Sequence, residues 1–453
     1  NGANSSFINK YLNNNIPESD LAQNPAEVIK DKIDHLNISN LELPRNLYLP
    51  RINSDGFDLN ERDCIQALMK KVNQFSKISF HAYSKSMHET LKNSPVEIIS
   101  KCNKKTIGII ETCDLESINE KIIYPSEEWA NCSTESRNEI LVSVADMLED
   151  QQAKFVYLLI HEAGKTLEDS LDEIREAVDF LRYYAQQALN LKPISQKGPT
   201  GEDNILKYGP KGIVLCISPW NFPLAITIGQ IAAALAGGNT IISKPSEHTP
   251  IIAFEAINLF FEKGLPEDSL HLFLGDGDLG QAIISNKTID LVAFTGSLQT
   301  AKMIHKSLSS KPGKIIPLIA ETGGLNTMVV DSSALLERAC DDIIRSAFNS
   351  AGQRCSALRL LLVDQEIYPE LLSMLKGAMN DLTIGIPSDP GVDVGPIITA
   401  NALKKLQNYL SKMNADGHTI FQVSTEDIPA DGSWHAPTLI ELELSSIPDE
   451  EQF

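Results

Sequence analysis

From Gly212 onward the chain repeats one unit: a short apolar run, a longer segment with helical spacing, then another apolar run. The runs GIVLCI, TIIS, LHLFL and LVAF predict strands, and the intervening segments predict helices from Leu224, after Pro250, after LHLFL and from Ser297. Gly264 predicts the close of the helix that follows Pro250. Strands joined through helices run parallel, so the pattern predicts an α/β chain with a doubly wound parallel sheet. Open parallel sheets bind ligands at the carboxyl ends of their strands, which makes the residues just after each apolar run the places to look for chemistry.

Upstream, Ile140, Leu141, Val144 and Leu148, then Phe155, Leu158 and Leu159, then Ile174, Val178 and Leu181 recur at helical spacing, with Gly164 ending one helix. The stretch LKPISQKGPTGEDNILKYGP, broken by Pro and Gly, predicts a projecting hairpin over residues 191–207, a device that usually pairs with another subunit. A second α/β block begins near Thr322, with strands NTMVV and LRLLLV, a helix from Ala334 and a further helix. A chain of 453 residues suggests two or three domains. We read residues 1–60, with many Asn, Asp and Pro, as a linker, 61–190 with 208–320 as one domain, and 321–453 as another.

Charge excludes some functions: 39 Lys and Arg against 60 Asp and Glu leave a formal net charge of −21, which repels nucleic acid and anionic membrane surfaces. The most apolar segment, Leu224–Ala236, contains Gln230 and stops at Gly237-Gly238, too short to span a bilayer. Seven cysteines, an odd number without a C-x-x-C pair, point to a reducing cytoplasm. The HEAGK run at His161 has Lys165 where a zinc-protease motif needs its second histidine, so no metal site is expected. The opening NGANSSFINK lacks the basic and apolar regions of a signal peptide and reads as the middle of something longer.

The run AFNSAGQRCSALR places Cys355 in a glycine-led turn between a predicted helix and a predicted strand, beside Arg354. A thiol becomes a good nucleophile where positive charge or oriented amides stabilise its thiolate, and Arg354 offers such a charge; a packed, inert cysteine is the alternative. After GIVLCI comes SPWNFP, where Asn221 offers an amide donor to a developing oxyanion, or serves only its turn. After TIIS come Lys244 and Glu247, spaced for the hydroxyls of one ribose; a carboxylate there repels a 2′-phosphate and favours NAD over NADP, and an exposed ion pair is the alternative. GDGDLG fits G-x-G-x-x-G at Gly275, Gly277 and Gly280, but its two aspartates repel pyrophosphate, so close approach to adenine or ribose is the better reading. Gly296 and Ser297 begin a helix whose free amides attract a phosphate. Glu321, at a strand end before two glycines, is placed as a mobile general base, or is simply solvated.

In order along residues 125–453, the runs PWNFP, KPSEHTP, FTGS, ETGG and GQRCS resemble the aldehyde dehydrogenases. The resemblance implies that fold, with a Rossmann-like NAD domain, a catalytic domain and an oligomerisation hairpin. It also implies that Cys355 attacks the aldehyde, that Asn221 and the Cys355 amide hold the oxyanion, and that Glu321 activates water against the thioester. Cofactor contacts carried over are Trp220, Lys244, Glu247, Gly277, Phe294, Gly296 and Ser297, with Glu451 and Phe453 from an E-x-F-G-P motif that here stops at Phe453.

The runs AETGG, SAGQRCSALR and NGANSSFIN are similar to the bifunctional proline-utilisation family. That likeness implies oxidation of L-glutamate γ-semialdehyde with NAD, with Glu176, Phe222, Arg354 and Ser356 lining the aldehyde pocket. It further implies an upstream proline dehydrogenase domain carrying FAD, a homo-oligomer, and a flavin half that touches the inner membrane. Family members hold the substrate carboxylate with a loop beyond Phe453, so the 453 residues as given are expected to turn over little. Another semialdehyde or aliphatic aldehyde, or an inactive assembly role, are the alternative readings.

Overall fold

The computed structural model describes residues 42–86, 89–90, 95–113, 118, 123–286, 288–424, 428–429, 431–443 and 447, with Pro17 and Asn24. The chain falls into two compact units, Asn1–Ile52 and Asn53–Phe453. In the first, the described residues include one 3-10 turn, Pro44–Asn46, and Arg51 lies over the Tyr48 ring at 4.8 Å. Most of the expected linker lies outside the described residues.

The second unit opens with helix α1 (Arg62–Val72). Strands β1 (Phe80–Tyr83), β2 (Lys85–Ser86), β3 (Glu89–Thr90), β4 (Pro95–Ile99) and β5 (Thr106–Glu111) follow. β5 runs parallel to β1 and antiparallel to β4, making a small three-stranded sheet. Helices α2 (Glu127–Asn131), α3 (Thr134–Asp150), α4 (Gln152–Ala163) and α5 (Leu167–Asn190) then form a layer. Three of them are capped by their own serine or threonine: Ser126, Ser133 and Thr166 each accept a first-turn amide, which satisfies a donor the helix cannot use internally. Gly164 closes α4 in the left-handed conformation, φ 74°, as its position in the sequence predicts. Leu171, Ile174, Val178 and Leu181 of α5 are buried on the face turned to the core.

Strands β6 (Ile194–Gln196) and β7 (Asn204–Leu206) pair antiparallel with every residue exposed, the projecting hairpin of the sequence reading. The main sheet follows as β8 (Ile213–Ile217), α6 (Ala225–Ala236), β9 (Thr240–Lys244), α7 (Pro250–Glu262), β10 (Leu270–Leu272), α8 (Gly277–Asn286), β11 (Leu291–Gly296), α9 (Leu298–Ser309) and β12 (Leu318–Thr322). Its strand order is β12-β11-β8-β9-β10-β2-β3; the first five strands are parallel and β2 returns antiparallel. Every residue of β9 is buried, which is why central parallel strands read as uninterrupted apolar runs. The winding reverses between β8 and β11, and that reversal opens a crevice at the strands' carboxyl ends. Ile217 stands opposite both Lys244 and Phe294, and Thr295 stands opposite Glu321, so the ends of four strands lie level.

The last block contains β13 (Thr327–Val330), α10 (Leu336–Phe348), β14 (Leu360–Val363), α11 (Tyr368–Asn380), α12 (Ala400–Ala415), β15 (Thr419–Gln422) and β16 (Thr438–Glu441). β13 and β14 are parallel, β15 and β16 antiparallel, and this block packs its own core around Val330, Cys340, Ile343, Leu371 and Leu375. Among the described residues, no helix is long and apolar enough to cross a membrane.

One long-range cap ties the helical layer to the sheet domain. Thr249 precedes α7 but makes no side-chain cap bond, and Pro250 contributes no N–H. The fully buried Glu162 of α4 serves instead, accepting the Ile251 and Ile252 amides at 2.8 Å each. Burial pushes its carboxyl up to about 8, against the opposing pull of those two amides.

Candidate active site

Cys355 is exposed and lies in the loop between α10 and β14, between a helix and a strand as the sequence predicts. The loop is held from several sides. Asn326 Nδ2 donates to the Cys355 carbonyl at 2.6 Å and to the Ala357 carbonyl at 2.9 Å. Gln353 Nε2 donates to the Ser350 and Pro396 carbonyls, each at 3.2 Å, and its Oε1 accepts the Ile398 amide at 2.9 Å. Pro396 rests against Gly164 at the end of α4, where an added Cβ would come within 2.9 Å of its Cγ.

The third anchor comes from α5. Asp169, 3% exposed, accepts the Ser350 amide at 2.9 Å through Oδ2 and pairs through Oδ1 with the Arg354 guanidinium. Arg354 Nε in turn donates to Ser350 Oγ at 3.1 Å. These bonds enclose a turn in which Ser350, Ala351 and Gly352 have φ of 55°, 54° and 70°. Left-handed backbone costs a residue with a Cβ about 1–2 kcal/mol, so two of the three positions are strained. The sequence reading gave Arg354 to the thiol. In the structure the guanidinium pairs with Asp169, whose buried carboxylate requires a cation, and it lines the same cavity as Cys355.

Cys355 borders a cavity of about 330 Å³ lined by Asp169, Asp172, Glu173, Glu176, Phe222, Ile226, Arg354 and Ser356 as well. It therefore brings together all four expected pocket residues, Glu176, Phe222, Arg354 and Ser356, with Cys355. Phe222 carries cations near its ring, Lys165 Nζ at 4.0 Å and the Arg354 guanidinium at 5.6 Å from the centroid. Lys165 also pairs with Glu173 at 2.7 Å, and both are buried; Glu173 further accepts the Leu224 amide at 2.8 Å, fixing the chain just after Phe222. Glu176 keeps an exposed face, yet burial of the rest raises its carboxyl above the ordinary range, with Glu173 adding to the effect. Asp169, Asp172 and Glu173 were missed in the sequence, although they stand seven, four and three positions before Glu176 and thus share its helix face.

At the neighbouring strand ends, Asn221 is partly buried and its Oδ1 has no hydrogen-bond partner among the described residues. Trp220 beside it is also partly buried. Glu321 is exposed and sits at the end of β12 opposite Thr295. Neither Asn221 nor Glu321 is among the residues lining the cavity around Cys355. Lys244 is 5% exposed, with Nζ 3.6 Å from Glu247 Oε2, and burial lowers its affinity for a proton while Glu247 partly restores it.

Gly277 opens α8, and a Cβ there would meet nothing within 4 Å, while a Cβ on Gly280 would lie 3.9 Å from the Lys244 stem. Ser297 caps α9 by accepting the Thr300 amide at 3.2 Å, leaving the amides of Leu298 and Gln299 without an acceptor inside the helix. Gly296 has no side chain for a reason: a Cβ would lie 2.7 Å from the Phe294 ring. Phe294 itself is 3% exposed and belongs to the sheet's core, so the structure gives its ring a supporting place beneath Gly296. Glu451 and Phe453 lie outside the described residues. Among the described residues no cluster of His, Cys, Asp and Glu has a metal-binding arrangement.

Comparison with known proteins adds an independent finding. The model of the aldehyde dehydrogenase family matches residues 88–453. The bifunctional protein PutA of Klebsiella aerogenes is 36% identical over 98% of this chain and 34% of its own length. A 1-pyrroline-5-carboxylate dehydrogenase of Geobacillus kaustophilus is 34% identical over 75% of this chain and 68% of its own. The crystal structure of a point mutant of Bradyrhizobium japonicum proline utilization A superposes with a TM-score of 0.78 at 36% identity, covering 97% of this chain and 42% of that one. The chain thus spans about a third of the length of the PutA proteins it matches.

Proposed function

The chain belongs to the aldehyde dehydrogenase family, and on that premise we propose that it oxidises L-glutamate γ-semialdehyde to L-glutamate with NAD. The observation that carries the reading is an exposed cysteine at the edge of a cavity beside a parallel-sheet crevice. The substrate rests on likeness to a 1-pyrroline-5-carboxylate dehydrogenase, whose name gives the cyclic form of that semialdehyde, and to the bifunctional protein PutA.

In this reading the Cys355 sulfur, as thiolate, bonds to the aldehyde carbon, and the carbonyl oxygen takes up the electron pair as an oxyanion. Asn221 and the Cys355 amide steady that oxyanion. NAD, when bound in the crevice, would supply the two-electron oxidant that turns this adduct into the thioester. Glu321 then takes a proton from water as the water oxygen attacks the thioester; the acid leaves and the thiolate returns. Glu176, Phe222, Arg354 and Ser356 shape the aldehyde site, with two cations near the Phe222 ring.

The crevice suits the cofactor on observations independent of family. The free first-turn amides of α9 at Ser297 suit a pyrophosphate, with Gly296 just before them, Gly277 leaves backbone open to approach, and the Lys244–Glu247 pair suits a ribose. Trp220, Glu451 and Phe453 complete the proposed set, with Phe294 serving it through the support its ring gives Gly296. Glu247 beside the ribose disfavours NADP.

Residues 61–190 with 208–320 form the proposed NAD domain, and 321–453 the catalytic one. An upstream proline dehydrogenase domain with FAD belongs to the same proposal, since PutA relatives are named as bifunctional. Homo-oligomer formation is supported by the hairpin's exposed Ile194, Ile205 and Leu206. Seven free cysteines fit a cytoplasmic setting. The test compares NADH formation from glutamate semialdehyde, succinate semialdehyde and acetaldehyde. Preference for the first supports the proposal; equal use of all three, or none, overturns it.

A further inference from the structure

Cys355 sits just beyond a turn that its own sequence disfavours. Ser350 and Ala351 each carry a Cβ yet adopt left-handed backbone, and only Gly352 takes that conformation freely. Something outside the loop has to hold the turn. Asp169 meets the requirement: it is buried, belongs to the first turn of α5, and reaches across 181 residues of sequence to the Ser350 amide. Its other oxygen pairs with Arg354, next to the nucleophile, and Arg354 bonds back to Ser350 Oγ, closing a ring of contacts around the turn. The Asp169 amide is itself fixed by Thr166 Oγ1 at 3.2 Å, so the carboxylate is presented from a capped helix end.

We propose that Asp169 is a positioning residue, holding the left-handed turn from Ser350 to Gly352 so that Cys355 faces the cavity wall that α5 also supplies. It acts through Ser350 and Arg354 and needs no contact with substrate. The same helix carries Glu173 and Glu176 into that cavity, so one element sets both the nucleophile's loop and the wall opposite it. Glu168, one position before Asp169, adds a looser contact with Arg345 of α10 at 3.7 Å.

The proposal rests on the aldehyde chemistry only for its kinetic readout. Asp169→Asn is expected to lower kcat for aldehyde oxidation by about tenfold or more, the scale of a lost charge-assisted bond, while KM for NAD stays within about twofold. Ala351→Gly, harmless in the unaltered chain, should restore about fivefold in the Asp169→Asn background, because glycine takes the left-handed turn without the carboxylate's help. The alkylation rate of Cys355 by iodoacetamide should depart from wild type in Asp169→Asn and move back in the double variant. Unchanged kcat and alkylation in Asp169→Asn, or no recovery with Ala351→Gly, overturns the proposal.

Absence of aldehyde oxidation in the unaltered chain speaks against the function instead, and alkylation still decides the role of Asp169. Should Asp169→Asn fail to fold, hydrogen exchange on the unaltered chain decides. Protection of the Ser350 amide relative to that of Ser356 supports the clamp, and equal exchange refutes it.

Discussion

Replacing Glu162 by glutamine should invert the order of stability between wild type and variant as pH rises. Glu162 is fully buried and accepts two amides at the start of α7, where the local sequence supplies no side-chain cap. Glutamine has one acceptor oxygen, so one of the two amides loses its partner, at a cost of about 1–3 kcal/mol. Against that stands the carboxyl's proton. Burial raises its pKa from 4.5 to about 8, so across that interval the folded chain holds a proton that the unfolded chain has released.

Wild-type stability from this group is therefore complete below the unfolded value and falls as pH rises through the folded one, by about 1.4 kcal/mol per pH unit. Between about pH 5 and about pH 8 the loss is roughly 4 kcal/mol, which exceeds the cost of one orphaned amide. Glutamine does not titrate. The variant should be the less stable protein near pH 5 and the more stable one near pH 8, read from urea unfolding followed by tryptophan fluorescence at matched ionic strength. A difference between the two proteins that does not move with pH would refute the reasoning: it would mean that the two amides keep the folded carboxylate ionised despite its burial.

Cys355→Ala should abolish aldehyde oxidation and leave NAD binding intact, because the sulfur forms the bond and contributes nothing to cofactor affinity; loss of both in a fluorescence titration contradicts the assignment. Lys244→Ala should raise the Kd for NAD by about tenfold or more without altering the alkylation rate of Cys355, and an unchanged Kd removes Lys244 from the cofactor site. Trp129 is 1% exposed and donates its indole N–H to the Leu235 carbonyl at 3.1 Å, so Trp129→Ala should destabilise the chain by about 3–5 kcal/mol in urea unfolding; under 1 kcal/mol would mean that the site collapses onto itself.

The main sheet was legible because burial on both faces forces an unmistakable pattern. Thr240–Lys244 has no exposed residue, and the helices between strands carry local signals such as the Ser297 cap and the glycine at 264. The sheet of β1, β4 and β5 was not read, since β4 buries only Ile98 of its five residues and so shows neither an apolar run nor alternation.

Candidate site residues were readable where they stand at or just after a strand's carboxyl end: Asn221 and Ser297 follow β8 and β11, while Lys244 ends β9 and Glu321 is the next-to-last residue of β12. What could not be read were bonds made between distant parts of the chain. Nothing near Arg354 announces Asp169, nothing near Pro250 announces Glu162, and NSAGQ contains one glycine for three left-handed positions. Such conformations are fixed by tertiary contacts, and local propensity points the other way.

The glycine that ends α4 has a reach its position does not suggest. Gly164 abuts Pro396, a Cβ on Gly395 would strike the Gly164 carbonyl, and the Pro396 carbonyl is gripped by Gln353, two residues before Cys355. A single methyl group at Gly164 would thus press into the proline, and the shove would pass through one amide side chain to the loop of Cys355. Bulk at this remote crossing would strain the left-handed end of α4 and press on the loop that carries Cys355, so a protein engineer varying residue 164 would be adjusting that loop together with the helix.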